Sequence, residues 1–321
     1  MEEPACNLCG SVSREPLFTA KDFELGLSEE LFNLVKCKLC GLVYLCPRPN
    51  GKEMARFYPA EYYSTVLPVF KGTGERRGRA LVKNWVRMHY WGWPGYRDWK
   101  KVWGLIQKAV AYPFRHVATG IPYKESARIL DVGCGNGRFL KELRSLDSRF
   151  ELWGLEPGVE AFTDYEEYDI RLIRSTIEES VLRADEYNTI TAWDVIEHWM
   201  DPLSSVKKIY KALKPGGSFI CGTPDVRSVE VKVFKGDAYI VQAPRHLHLF
   251  EKRTLELLLR KGGFESVRVV RTLVRSHLEQ SYCRNALRDG KELNVVVKTL
   301  YGLLDKGHIG TGLRAVALKG G

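Results

Sequence analysis

The residues Ala127-Arg-Ile-Leu-Asp-Val-Gly-Cys-Gly-Asn-Gly137 decide the fold of this chain. They form a short apolar strand that runs into a glycine-rich turn, and residues 138–146 follow with the periodicity of an amphipathic helix. A strand, a glycine turn and a helix in this order open a doubly wound α/β sheet, in which a ligand lies across the carboxyl ends of the strands. The stretch therefore predicts an α/β domain with a ligand site at the turn.

The spacing of the glycines narrows the class of ligand. A dinucleotide-binding fingerprint reads G-x-G-x-x-G, whereas here the glycines fall at positions 133, 135 and 137 and the sixth position is Arg138. Such a compact turn lets the backbone approach a ligand that has no pyrophosphate, and Asp131 at the strand end can interact with a cationic group. The spacing disfavours NAD, but a Rossmann-like domain that binds another nucleotide stays open at this point.

Ile129-Leu-Asp-Val-Gly-Cys-Gly-Asn-Gly137 resembles the first motif of class I S-adenosylmethionine-dependent methyltransferases. The resemblance covers about residues 126–272 and the last strand, and it implies a Rossmann-like seven-stranded methyltransferase sheet. Trp153-Gly-Leu-Glu-Pro157 is similar to the end of the second strand, where Glu156 would accept hydrogen bonds from both ribose hydroxyls. The later strands of the family match residues 187–194, 218–223, 265–271 and, antiparallel, 313–318.

The resemblance also implies which residues bind S-adenosylmethionine. They are Asp131, Gly133, Gly135, Gly137, Glu156, Thr176, Ile177, Trp193 and Asp194. The arrangement of a cysteine ribbon in front of such a core is similar to that of methyltransferases that act on sugars and other small metabolites, including sugar C-methyltransferases. The implied activity is transfer of a methyl group to oxygen or carbon of a small-molecule acceptor, a sugar or a lipid-linked metabolite.

Two copies of one cysteine pattern stand near the N-terminus, Cys6-x2-Cys9-Gly10 and Cys37-x2-Cys40-Gly41. This spacing lets two thiolates converge on one ion, and the following glycine permits the tight turn. Four thiolates leave no ligand position open, so the pattern predicts a structural zinc ribbon, although an iron centre stays open. Cys46 is expected to pack as a small side chain.

Three histidines are candidate catalytic residues. His198 follows the predicted fourth strand, and His246 and His248 follow the fifth. An imidazole with a near-neutral pKa suits removal of a proton from an acceptor hydroxyl or carbon. Since alternate residues of a strand point to one face, His246 and His248 are expected to face the acceptor together. The other interpretation is that these histidines only pack or cap a turn.

Asp194, Glu197 and His198, with one later histidine, also resemble an acid-x-x-Glu-His arrangement by which some methyltransferases hold a divalent metal beside the acceptor oxygen. Carboxylates and imidazoles are adequate ligands for such an ion. Asp194 departs from the pattern, because those relatives place Glu there and Asp is shorter by a methylene. A second divalent metal at these residues is therefore an alternative to a histidine base.

Positive charge is concentrated in one segment. The chain has 49 Lys and Arg against 39 Asp and Glu, a net charge of +10, yet residues 71–120 alone carry eleven basic and two acidic side chains. The same segment holds five of the eight tryptophans. It predicts a basic helical connector at residues 51–124 that contacts a membrane surface, packs on the catalytic domain or in a dimer, or binds RNA. Because the remainder is nearly neutral, nucleic acid is not expected as a partner of the whole chain.

The sequence thus predicts a zinc ribbon at 1–50, a helical connector at 51–124 and a class I methyltransferase domain at 125–321 with a helical insertion at about 276–308. No secretory signal is readable, so we expect a cytoplasmic enzyme, in contact with a membrane if residues 71–120 bind one. Two other functions stay open. One is RNA methylation, and the other is a non-catalytic membrane-surface protein with a vestigial methyltransferase fold.

Overall fold

The computed structural model describes residues 1–59, 121–122, 124–158, 165–274, 277–306 and 310–321. The basic, tryptophan-rich segment at 71–120 lies outside the described residues, as does most of the connector predicted at 51–124. The roles expected for that segment therefore stay predictions. No helix within the described ranges is long and apolar enough to cross a bilayer.

The described residues form eleven strands and seven α-helices, together with five short 3-10 helices. The strands are β1 Arg14–Ala20, β2 Phe32–Cys37, β3 Val43–Leu45, β4 Arg128–Val132, β5 Glu151–Leu155, β6 Ile170–Ile173, β7 Tyr187–Trp193, β8 Leu213–Pro224, β9 His248–Leu249, β10 Ser266–Val274 and β11 Gly310–Leu318. The α-helices are α1 Gly51–Met54, α2 Arg138–Leu146, α3 Pro202–Ala212, α4 Val229–Phe234, α5 Lys252–Lys261, α6 Leu278–Arg288 and α7 Val295–Lys306.

The main sheet has seven strands in the order β10-β11-β8-β7-β4-β5-β6. Strands β6, β5, β4, β7 and β8 run parallel, whereas β11 is antiparallel to both of its neighbours. This arrangement confirms the predicted α/β fold with an antiparallel last strand. The strand order reverses at β4, and in such sheets the crevice at the reversal point is where ligands bind.

Successive residues of a strand point to opposite faces of the sheet. Apolar side chains stand on both faces of the main sheet, and helices cover both. Ile129 of β4 lies in one buried cluster with Leu140 and Leu143 of α2. Its neighbour Leu130 lies in another buried cluster, with Ile209 of α3 and apolar residues of α5. Strand β4, buried from Ile129 to Val132, therefore holds the glycine turn on a rigid base.

The N-terminal unit, which we define as residues 1–59, contributes three strands to a second sheet of order β1-β2-β3-β9. Strand β3 pairs antiparallel with β9, so that Tyr44 lies opposite His248. Phe32 and Phe57 of the unit share one buried cluster with Leu247. A strand from the second half of the chain thus completes the sheet of the N-terminal unit.

Helices α6 and α7 lie between β10 and β11, in the stretch where the sequence predicts a helical insertion. Tyr301 of α7 packs edge to face on Phe234 of α4, with ring centroids 5.7 Å apart. The opposite side of α7 leaves Val296, Leu300 and Leu303 more than half exposed. Helix α7 therefore packs on α4 through one of its faces, and α6 contacts α4 separately, through the hydroxyl of Ser281, which donates to Glu230.

Candidate active site

The glycine turn after β4 has a backbone that requires glycine. Gly133, Gly135 and Gly137 have positive φ angles of 70°, 50° and 69°, a region that other residues rarely adopt. A Cβ on Gly133 would lie 2.4 Å from Val195 Cγ2, and one on Gly137 would lie 2.8 Å from the Tyr165 ring. The turn is therefore held tightly at the edge where the parallel strands end.

Glu156, directly after β5, is tied to the glycine turn by its carboxylate. Oε2 accepts a hydrogen bond from Gly135 N–H at 3.1 Å, and Oε1 accepts one from Gly158 N–H at 3.1 Å. The hydroxyl of Tyr165 donates to the Gly135 carbonyl at 2.8 Å. The structure thus brings Glu156 to the turn, while its contact with ribose stays a prediction.

Asp131, near the end of β4, is buried and accepts a hydrogen bond from the Thr191 hydroxyl at 2.6 Å. Burial raises the pKa of Asp131 to about 7, and the negative charge of Glu156 adds to the rise. A buried carboxyl group close to a second acidic side chain favours a cationic ligand nearby. This donor set fits S-adenosylmethionine, whose sulfonium group is positively charged.

The remaining predicted cofactor residues follow β6 and β7. The hydroxyl of Thr176 accepts a hydrogen bond from Glu179 N–H at 3.2 Å. Ile177 is buried in the core, so its side chain contributes packing. Trp193 is half-buried at the end of β7 and packs edge to face on Phe139, with ring centroids 5.6 Å apart. Their contacts with a cofactor stay predictions.

A second polar group lies between β7 and β9. Glu197, His198 and His246 each place one metal-ligating atom within 4.8 Å of the others. The two imidazole rings meet edge to face with centroids 4.6 Å apart, and His246 Nε2 lies 4.0 Å from Glu197 Oε1. The hydroxyl of Thr223 donates to Glu197 Oε2 at 2.9 Å. We call Glu197, His198 and His246 the Glu–His–His group.

Backbone carbonyls set the tautomers of both imidazoles. His246 Nδ1 lies 2.8 Å from the Ile240 carbonyl oxygen, and His198 Nδ1 lies 3.1 Å from that of Arg245. A carbonyl oxygen only accepts, so we assign the proton of each neutral ring to Nδ1 and the lone pair to Nε2. The group therefore combines two imidazole nitrogens that carry lone pairs with one carboxyl group.

Burial disfavours the charged form of each member of the Glu–His–His group. It raises the pKa of Glu197 to about 8, and the charge of Asp194 contributes. It lowers the pKa of His198 to about 4, assisted by Arg245, and that of His246 well below its ordinary range. Glu197 Oε1 finds no hydrogen-bond donor among the described residues. At neutral pH both imidazoles are therefore uncharged, and Glu197 is the member of the group that holds a proton most readily.

One member of the arrangement predicted from the sequence, Asp194, is not among the three residues whose ligand atoms converge, whereas His246 is the later histidine that joins Glu197 and His198. Asp194 has an exposed side chain and a left-handed backbone with φ of 50°. His248 pairs with Tyr44 in the second sheet. His246 precedes β9 and His248 lies in it, and a shared face of the two histidines toward the acceptor stays a prediction.

The four cysteines of the N-terminal pattern converge, as predicted. All four sulfur atoms lie within 4.8 Å of one another, with 3.5 Å between Cys6 and Cys40 and 3.5 Å between Cys9 and Cys37. Zinc–sulfur bonds of about 2.3 Å place the sulfurs of a tetrahedral site about 3.8 Å apart, so the spacing fits zinc. Burial opposes ionisation of Cys37, but backbone hydrogen bonds lower its pKa to about 7.

Sequence reasoning misses Tyr58, Tyr165 and Arg245. The Tyr58 hydroxyl lies 2.9 Å from His198 Nδ1, across 140 positions of sequence. Tyr165 holds the glycine turn, and the carbonyl of Arg245 contacts His198. No local motif marks the two tyrosines, whereas the position of Arg245 directly before His246 is a weak signal.

The chain is similar in sequence to a methyltransferase family and to two bacterial O-methyltransferases. The family described as Methyltransferase domain matches residues 107–269. The ubiquinone biosynthesis O-methyltransferase of Nitrosococcus oceani is 30% identical over 188 residues, covering 52% of this chain and 73% of that protein. The protein of the same name from Ruegeria pomeroyi is 27% identical over 175 residues, covering 50% and 69%.

A solved structure is also similar, at lower identity. It is the phosphoethanolamine N-methyltransferase 2 of Haemonchus contortus in complex with phosphomonomethylethanolamine and S-adenosylhomocysteine. Its sequence identity is 17% and its TM-score 0.48, and the match covers 82% of this chain and 60% of that one.

Proposed function

Because this chain belongs to the methyltransferase-domain family and is an S-adenosylmethionine-dependent methyltransferase, we propose that it methylates a hydroxyl oxygen of a small-molecule acceptor. The Glu–His–His group carries the proposal, since it gathers proton acceptors close to the end of β7. The two similar proteins named O-methyltransferases support oxygen as the methylated atom.

The cofactor half of the proposed site is the glycine turn with Glu156 and Asp131. When bound there, S-adenosylmethionine supplies an electrophilic methyl group on a positively charged sulfur. The chain has to hold the acceptor hydroxyl in line with that methyl group, because orientation alone removes a large part of the barrier of such a displacement. The carboxylates on the cofactor side favour the cationic reactant.

His198 is the proposed general base. It is partly exposed, whereas His246 is buried, so an acceptor reaches the Nε2 atom of His198 more readily. As the acceptor oxygen gains the methyl group it would lose its proton, and Nε2 of His198 would accept that proton. Its lowered pKa keeps His198 unprotonated at neutral pH, so that Nε2 is free to accept a proton.

The acceptor class that we propose is a sugar or a lipid-linked metabolite. The test is transfer of labelled methyl groups to nucleotide sugars, lipid-linked sugars, phenols and RNA, with the methylated atom located by NMR. We expect an O-methyl product of a small molecule. Label that enters RNA, or that appears on nitrogen, would contradict the proposal. Replacement of His198 by Gln should lower kcat by a factor on the order of 100.

A second mechanism uses a divalent cation in the Glu–His–His group in place of a free base. The unsatisfied Oε1 of Glu197 favours it, because a cation would supply the missing partner. Titration of the zinc-loaded chain with Mn²⁺, followed by electron paramagnetic resonance, distinguishes the mechanisms. Bound Mn²⁺ that is lost in Glu197→Gln supports the cation, and unchanged activity with no bound Mn²⁺ supports the base.

The Cys6, Cys9, Cys37 and Cys40 cluster is proposed to bind one structural zinc ion. All four ligand positions are taken by sulfur, so a site of this kind has no place for a substrate. Its contribution is therefore to the folding of the N-terminal unit, which has few strands of its own.

A further inference from the structure

The N-terminal unit reaches into the Glu–His–His group through a tyrosine. The Tyr58 hydroxyl oxygen lies 2.9 Å from His198 Nδ1, and the Arg245 carbonyl oxygen lies 3.1 Å from the same nitrogen. Since the carbonyl can only accept, the Nδ1 proton is shared between these two oxygens. Tyr58 therefore contacts the ring nitrogen that must stay protonated if Nε2 is to act as a base.

The position of Tyr58 is fixed by the folding of the segment before it. Asn50 caps α1 by accepting hydrogen bonds from the backbone N–H groups of Lys52 and Glu53, both at 3.0 Å. Phe57 is fully buried and packs edge to face on Phe32, with ring centroids 6.0 Å apart. A capped helical turn and a buried aromatic anchor thus hold Tyr58 against His198.

The same unit also fixes the second oxygen that contacts His198. The guanidinium of Arg245 lies 2.9 Å from Asp22 of the N-terminal unit. The backbone N–H of Leu45 in β3 donates to the carbonyl of Leu247 at 3.0 Å. The N-terminal unit therefore holds the segment from Arg245 to Leu247 in two ways, through the side chain of Arg245 and through the backbone of Leu247.

We infer that Tyr58 is a positioning residue for the methyl-transfer reaction. It shares the Nδ1 proton of His198 with the Arg245 carbonyl, orients the ring and keeps the Nε2 lone pair available to the acceptor. The N-terminal unit is then part of the acceptor side of the active site, while the cofactor side is built from β4 and β5. This inference rests on the proposed function of His198 as the general base.

The test compares Tyr58→Phe with Tyr210→Phe, whose ring packs on Phe264 outside the Glu–His–His group. The full chain is labelled with ¹⁵N-histidine, and the His198 signals are assigned from their loss in His198→Gln. In the wild type we expect a protonated Nδ1 and an unprotonated Nε2. In Tyr58→Phe we expect both nitrogen shifts to move toward exchange-averaged values and kcat to fall about tenfold, with the S-adenosylmethionine KM unchanged.

Tyr210→Phe should leave the His198 signals and kcat unchanged. Superimposable His198 signals in Tyr58→Phe and the wild type would overturn the inference, and so would shifted signals with an unchanged kcat. Thermal unfolding of each variant confirms that it folds. Because the tautomer is read by NMR without any turnover, failure of the proposed function is seen separately, as full activity of His198→Gln.

Discussion

The guanidinium of Arg245 and the carboxylate of Asp22 form an ion pair 2.9 Å apart, in which both side chains are fully buried. Asp22 belongs to the N-terminal unit, and Arg245 belongs to the segment that carries His246. A fully buried ion pair therefore joins the two parts of the chain beside the candidate active site. The partner that remains after substitution of the other would be an uncompensated buried charge.

Asp22→Asn is expected to lower the free energy of unfolding by about 3–5 kcal/mol, because it leaves the Arg245 charge buried without its counter-ion. Urea unfolding measures the change. The double variant Asp22→Leu/Arg245→Met should lose less than the sum of the two single variants, since it removes both charges. The matched control is Arg56→Met, which breaks a half-exposed pair with Glu30 and should cost less than about 1 kcal/mol. Equal small losses at both pairs would contradict the expectation.

Gly133→Ala is expected to weaken binding of S-adenosylmethionine at least about tenfold, because the new Cβ would lie 2.4 Å from Val195 Cγ2. The control is Gly216→Ala, since Gly216 has a similar φ of 71° but nothing within 4 Å of the added Cβ. Both variants carry the backbone strain, and only the first displaces the glycine turn. Calorimetry compares the affinities, and equal affinities in the two variants would argue against a cofactor at this turn.

The cysteine cluster is expected to hold about one zinc ion per chain. Elemental analysis should find that Cys9→Ser loses the ion, while Cys283→Ser in α6, outside the cluster, retains it. Loss of zinc should lower methyl transfer more than S-adenosylmethionine binding, because the N-terminal unit contacts His198 through Tyr58. Zinc content that is the same in both variants would exclude the cluster as the metal site.

His248 is expected to make stability depend on pH. Burial lowers its pKa to about 3, with a further contribution from Arg48, whereas an unfolded histidine has a pKa of about 6.5. Between these values only the unfolded chain takes up the proton, so the stabilising contribution is complete above about pH 6.5 and is lost as the pH falls. The loss reaches about 2 kcal/mol near pH 5.

His248→Gln lacks this titration. The difference in unfolding free energy between wild type and His248→Gln should therefore shrink by about 2 kcal/mol when the pH is lowered from about 8 to about 5. Urea unfolding at each pH gives the difference. A difference that stays constant over this range would show that His248 is not held neutral by the fold.

The parts of the fold that could be predicted depend on local constraints. The glycines at 133, 135 and 137 are required by backbone angles that few other residues adopt, so their spacing identifies the turn and its strand. The two cysteine pairs are equally local, because a two-residue spacing brings both sulfurs to one ion. These features allow the glycine turn and the cysteine cluster to be located from the sequence alone.

The acceptor side of the candidate active site could not be predicted to the same extent, because contacts between residues far apart in the sequence form it. Tyr58 meets His198 only through the packing of Phe57 and the pairing of β3 with β9, and neither leaves a sequence signal. His246 and His248 look equivalent in the sequence. The short strand β9 takes His248 into the second sheet and leaves His246 beside Glu197.

The central claim is that the glycine turn and Glu156 bind S-adenosylmethionine, and calorimetric titration of the wild type and Glu156→Gln tests it most directly. We predict one site per chain in the wild type, an affinity lower by a factor of about 10–100 in Glu156→Gln, and wild-type affinity in Glu167→Gln, whose side chain is exposed. No binding to the wild type, or equal binding by Glu156→Gln and the wild type, would contradict the account.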